Sequence, residues 1–76
     1  MRLTYDKEVG AAYLRIRDDG DDVGTVTSMP VTPPDVDGLD DHIVLDFDNA
    51  GRLVGIEFLT PERRLLPSAL AAADSH

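Results

Sequence analysis

Residues 42–59 constrain this chain more than any other stretch. His42-Ile43-Val44-Leu45-Asp46-Phe47 and Arg52-Leu53-Val54-Gly55-Ile56-Glu57-Phe58-Leu59 are rich in branched and aromatic residues, and Asp48-Asn49-Ala50-Gly51 separates them. Such side chains suit a pleated strand, and a short Asp/Asn/Gly segment between two such runs reads as a hairpin turn. With Asp48 set opposite Gly51, Phe47 faces Arg52, Leu45 faces Val54 and Ile43 faces Ile56. Side chains alternate across a strand. Ile43, Leu45, Phe47, Val54, Ile56 and Phe58 then share one face, which is expected to be the core. The other face holds His42, Val44, Asp46, Leu53, Gly55, Glu57 and Leu59. It is amphipathic rather than polar, so Val44, Leu53 and Leu59 need cover from a tail helix or a second subunit.

Little chain is left to supply that cover. The 76 residues make one small domain. A chain of this size buries only about 60–65% of the surface its unfolded form exposes, and its core supplies roughly 3–5 kcal/mol. There is no cysteine, so disulfides and thiolate metal sites are excluded. Two histidines, one of them His76, make no zinc ligand set, and no cofactor is expected. Association with itself or with another protein is the device that remains. The formal net charge of −8 repels phosphate and anionic lipid, so neither nucleic acid nor membrane is an expected partner. It attracts a basic protein. Met1–Asp6 has no apolar signal region, and no stretch approaches the ~18 apolar residues of a membrane span. A cytoplasmic location is expected.

The remaining segments read as further strands and a short helical tail. Leu3 and Tyr5 alternate with Arg2, Thr4 and Asp6, and the turn Asp6–Gly10 follows. In Ala11–Arg17, Ala12, Leu14 and Ile16 share one face, and Tyr13, Arg15 and Arg17 the other. Asp18–Asp22 is a turn, and Val23–Met29 a third strand that Pro30 places at an edge or an end. Pro33–Asp41, with two prolines, four aspartates and a glycine, is a solvated loop. Thr60-Pro61-Glu62 carries the marks of a helix start: threonine as N-cap, proline in the first turn and an acid beside it. Pro67 interrupts that helix, and Leu65, Leu66 and Leu70 give it an apolar stripe. The expected class is α+β, mainly β: a small antiparallel meander sheet of three to five strands with a short C-terminal helix. Residues 1–66 form the β-domain with the start of the tail, and 67–76 a helical or frayed end.

Two blocks carry a family resemblance. Leu3-Thr4-Tyr5-Asp6 with Glu8, Ala12, Tyr13, Leu14 and Ile16 is similar to the opening ITYD-x-E-x-D-A-x-Y-I-x-L of a family of small bacterial and archaeal proteins. Ile43-Val44-Leu45-Asp46-Phe47-Asp48 with Gly51, then Leu53-Val54-Gly55-Ile56-Glu57-Phe58-Leu59, resembles its closing VIVDYDEDGNVVGIEIL. That family is domain of unknown function 2283, and the resemblance covers most of residues 2–66. Gly10-Ala11 departs from its usual polar pair, and the Pro33–Asp41 loop is longer than usual. The resemblance implies a compact β-rich domain with a C-terminal helical piece. Some relatives look like one half of small paired genes of toxin–antitoxin type, an association by analogy.

Three constellations hold residue types that chemistry could use. Asp46-x-Asp48-x-Ala50-Gly51 and then Glu57 mimics a calcium loop, with acids at positions one, three and twelve and glycine at six. Ala50 at position five offers no side-chain oxygen, and the flanks have strand periodicity, so the segment reads as a turn. His42 is expected across the ladder from Glu57, an acid–base couple in form but an ordinary cross-strand pair by frequency. Tyr5, Asp6, Glu8, Tyr13, His42 and Glu57 make up the polar cluster most like the family's. A site would need them convergent in a cleft, whereas half-buried tyrosines and turn-forming acids have structural uses of their own. Arg15, Arg17 and Arg52 are expected to balance nearby acids.

No residue is expected to be catalytic or to ligate a metal, and the chain is not expected to be an enzyme. The expected function is a protein-interaction module, in its sharper form an antitoxin-like partner of a basic toxin. The interaction surface would comprise Val44, Leu53, Leu59, Leu66 and Leu70. The alternatives are a structural homo-oligomer without a ligand, or a small metal-dependent binder or enzyme using Asp46, Asp48 and Glu57 with His42.

Overall fold

The computed structural model describes residues 1–17, 24–34 and 43–75. The chain runs β1 (Arg2–Asp6), β2 (Ala11–Arg15), β3 (Thr27–Val31), β4 (Ile43–Phe47), β5 (Leu53–Leu59), α1 (Pro61–Arg64), α2 (Pro67–Ala72) and β6 (Asp74–Ser75). The fold is mainly β within the α+β class. Five antiparallel strands stand in the order β3-β4-β5-β2-β1, and the two-residue β6 lies parallel to β1 at the far edge. Among these five, consecutive strands are neighbours except β2 and β3, which stand on opposite sides of the β4–β5 pair, so that β5 pairs with β2.

The central hairpin departs from its expected register in two compensating steps. Asp48 stands opposite Arg52 rather than Gly51: its N–H donates to the Arg52 carbonyl at 2.9 Å, and the Gly51 N–H donates to the Asp48 carbonyl at 3.1 Å. Gly51 has φ of +78°, the left-handed geometry that ends a three-residue hairpin loop. A second irregularity follows, because Phe47 pairs with Leu53 while Asp46 pairs with Gly55. Val54 is the extra residue of a β-bulge. Its carbonyl accepts from the N–H groups of both Ile16 and Arg17, at 3.1 and 3.5 Å. Each step slips the ladder by one residue, and a one-residue slip exchanges faces. Two slips restore them. Ile43 and Leu45 share a face with Phe58 and Ile56 as expected, each opposite a residue two places later. Leu53, caught between the slips, pairs with Phe47 instead of joining Val44.

Two apolar rows result. Leu3, Leu14, Ile56, Leu45 and Met29 run side by side across all five strands, and Tyr5, Ala12, Phe58, Ile43 and Val31 run beside them. The tail covers one end of this face. The Tyr5 hydroxyl donates to the Glu62 carboxylate on α1, and Pro61 is fully buried. Ala12, Val54 and Phe58 are the buried hydrophobic core. Burial fades toward β3, where every residue is exposed.

Several expectations for single elements change. The second strand ends at Arg15, with Ile16 and Arg17 beyond it. The third strand runs through Pro30 to Val31 instead of ending at Met29, because an edge strand bonds on one side only and tolerates the missing N–H. That strand also begins later than expected, at Thr27, with residues 24–26 outside it. Val23 lies outside the described residues, as do Asp18–Asp22 and most of the Pro33–Asp41 loop. Thr60 does precede α1, with Pro61 in its first turn, but it makes no side-chain cap. Its φ and ψ are 50° and 60°, and its hydroxyl donates back to the Leu59 carbonyl. Pro67 separates α1 from α2, as its missing N–H and fixed φ require.

A branched residue in left-handed geometry costs about 1–2 kcal/mol, and asparagine tolerates that region better. Thr60→Asn is therefore expected to raise stability by about 1 kcal/mol, or ~4–8 °C in Tm for a domain of this size. A thermal melt checks it, and an unchanged or lower midpoint would refute the strain.

Candidate interaction surface

The two faces of the sheet differ in how their side chains are satisfied. On the polar face, Arg15, Gly55, Asp46 and Ser28 lie in one row, and Thr4, Tyr13, Glu57, Val44 and Pro30 in the next. Tyr13 leans diagonally across Gly55 and donates its hydroxyl to Asp46 Oδ2 at 3.1 Å, while Ser28 Oγ donates to Oδ1 at 2.7 Å. The ring leaves no space over β5: a Cβ at Gly55 would lie 1.8 Å from the phenol oxygen. Glycine is required there by close approach. Burial pushes the Tyr13 phenol above its ordinary pKa, the bond to Asp46 adds to this, and Arg17 acts in the opposite sense. The bond to Glu62 likewise raises Tyr5.

These bonds decide what the polar residues can do. Both Asp46 oxygens accept from side chains of this chain. Asp48 is buried in its own turn, where Oδ1 accepts from the N–H groups of Ala50 and Arg52 and Oδ2 from Arg52 Nε, each at 2.9 Å. The Arg52 N–H is the main cause that holds the Asp48 carboxyl below the usual aspartate range. The Ala50 N–H and the Arg52 guanidinium lower it further, against an opposing effect of burial. Among the described residues, no three His, Asp or Glu side chains converge as a metal site.

The expected polar cluster is divided. Tyr5 and Tyr13 are on opposite faces, since Tyr5 pairs with Ala12. Tyr13 and Glu57 are cross-strand neighbours and line a shallow depression of about 280 Å³ with Asp6. Asp6 caps the β1–β2 turn, accepting from the N–H groups of Glu8 and Val9 at 3.0 and 3.2 Å. Tyr5, Asp6 and Glu8 border a second depression of about 730 Å³ against α2. Val44 stands opposite Glu57, and His42 lies outside the described residues. Ser28 and Glu62, the partners of Asp46 and Tyr5, left no signal in the sequence. Gly55 did, since a glycine inside a strand marks a close approach.

The apolar face offers the larger surface. Ile43, Leu45, Phe47 and Ile56 are only half-buried, Met29 is 53% exposed and Val31 39%. Of the residues expected to form the interaction surface, Val44, Leu53, Leu59 and Leu70 are half-buried, and Leu66 is 72% exposed. Leu53 pairs with Phe47 of the apolar face, whereas Val44 belongs to the polar face. Among the described residues, no helix is long and apolar enough to cross a membrane.

Two outcomes follow from this geometry. Gly55→Ala is expected to cost about 1–3 kcal/mol by forcing the Tyr13 ring off Asp46, and to cost far less in a Tyr13→Ala background. Additive costs in a double-mutant cycle of urea melts would refute the crossing. Because folding lowers the Asp48 pKa, its contribution is complete above the unfolded aspartate value of about 3.9 and is lost as pH falls through the lower folded value. Asp48→Asn is expected to weaken the protein at pH 7 and to flatten the loss of stability below about pH 4. Urea melts across that range check it.

The comparisons agree with the architecture in extent. No curated protein and no solved structure matches the chain. One family model matches residues 2–60, from the first residue of β1 to the strained Thr60, with α1, α2 and β6 beyond it. Since that segment holds the whole five-stranded sheet, the chain belongs to the family described as "Protein of unknown function (DUF2283)".

Proposed function

We propose that this protein is a protein-interaction module whose open sheet face is completed by another protein. The observation that carries the proposal is the uneven cover of one continuous apolar face. Its rows cross five strands, yet the tail packs by α1 on β5 and by Glu62 and β6 on β1, and β3 at the other edge stays exposed along its length. Contiguous exposed apolar surface of this kind marks contact sites on soluble domains.

The partner is either a second copy or a basic protein that the net charge of −8 draws in. An antitoxin-like role is the sharper form of the second case, supported by that charge and by the analogy with paired genes. The module is taken to be non-catalytic and to work in the cytoplasm. In support of the first point, Asp46 on the polar face and Asp48 in the hairpin turn are bonded within the chain.

Fluorescence of a hydrophobic dye tests the open face. The native protein, melting cooperatively, is expected to bind 8-anilinonaphthalene-1-sulfonate at neutral pH, and Leu45→Ser is expected to weaken that binding. A native chain that leaves the dye dark at all protein concentrations, even while monomeric, would overturn the proposal.

A further inference from the structure

We infer that the occupant of the open face is a second copy of this chain, packed sheet on sheet about a twofold axis. This deepens the interaction-module reading and rests on it. The first ground is charge. Although the chain carries −8, the two apolar rows contain no charged residue at any paired position. A basic partner seated on this face would find no carboxylate to meet its cations. An identical uncharged face meets it without desolvating any charge, and a twofold contact requires only that a surface complement itself.

The second ground is the edge. β3 bonds to β4 on one side and is exposed along its whole length, so its outer side is the place for strand addition. Pro30 is the fourth of the five residues of β3 and lacks the N–H that a continuous ladder would use there. The geometry therefore favours packing through the face. Stacked sheets lie about 10 Å apart with strands within about 30° of each other. In that arrangement, Met29, Val31, Ile43, Leu45, Phe47 and Ile56 of each copy interdigitate.

The third ground is size. The molecule measures 32 × 27 × 18 Å, so its broad side is comparable to the ~800 Å² per partner of a standard interface. The tail takes one end of that side. What remains fits the smaller, weaker class of contacts, and a dissociation constant on the order of micromolar is expected. Two copies of the same negative charge repel, so salt should strengthen this contact by screening. Salt would weaken the capture of a basic protein.

Sedimentation equilibrium of the full chain from ~5 to ~500 μM, at 50 mM and 500 mM NaCl, tests the inference. The expected result is a monomer–dimer equilibrium, at least about twofold tighter at the higher salt. Met29→Glu places a charge at a position already exposed in one copy, so its fold should survive, as circular dichroism would verify. It is expected to weaken the dimer at least ~10-fold, the scale of burying an unpaired charge. Val9→Glu, on the exposed β1–β2 turn, should leave the dimer unchanged. A dimer indifferent to Met29→Glu, or one that salt dissociates, overturns the inference. A strict monomer at both salts also overturns it. If that monomer still binds the dye, the interaction-module reading stands with a different partner, and if it does not, both fall.

Discussion

The Asp48 carboxylate is the constraint on which the sheet depends. It gathers the N–H groups of Ala50 and Arg52 and the Arg52 guanidinium into one turn, and that turn decides which residue of β5 meets which residue of β4. Every other strand is registered on that pair, because β3 hangs on β4, and β2 and β1 on β5. The bulge at Val54 then moves the ladder once more, so the two slips cancel in facing but not in position. Without the second slip, Ile56 and Phe58 would point away from Ile43 and Leu45, and neither apolar row could form.

Much of this was legible in the residues. The alternation in Leu3–Tyr5, Ala11–Arg17 and 43–59 gave the strands and their faces, and Pro61 and Pro67 marked the two short helices. The register was not legible. Type and spacing in Asp48–Gly51 are equally compatible with a two-residue or a three-residue loop, and nothing in Leu53-Val54-Gly55 signals which residue is left over. The Thr60 geometry was hidden for a related reason. A threonine before a proline looks like an N-cap, yet the sharp reversal from β5 into α1 demands a backbone conformation that takes its hydroxyl away from the helix.

The candidate surface was half legible. A chain too short to cover both faces of its last hairpin does leave apolar surface open, but the more open surface is the face expected to be core. The cause is the tail, whose length and attachment only the fold reveals. Tyr5 and Glu62 tie it down near β1, so its cover ends before β4 and β3. The polar residues that looked like a site are instead used one by one: Asp6 in a turn, Tyr13 across a glycine, Asp46 between two hydroxyls.

Pro30 has a consequence for solubility at the high concentrations at which small proteins meet. A sheet with one greasy side and a bare outer strand is close to the template from which fibrils elongate, each new chain laying its backbone along the last. One imino acid within that strand interrupts the run of donors and disfavours recruitment along the hydrogen-bonding direction.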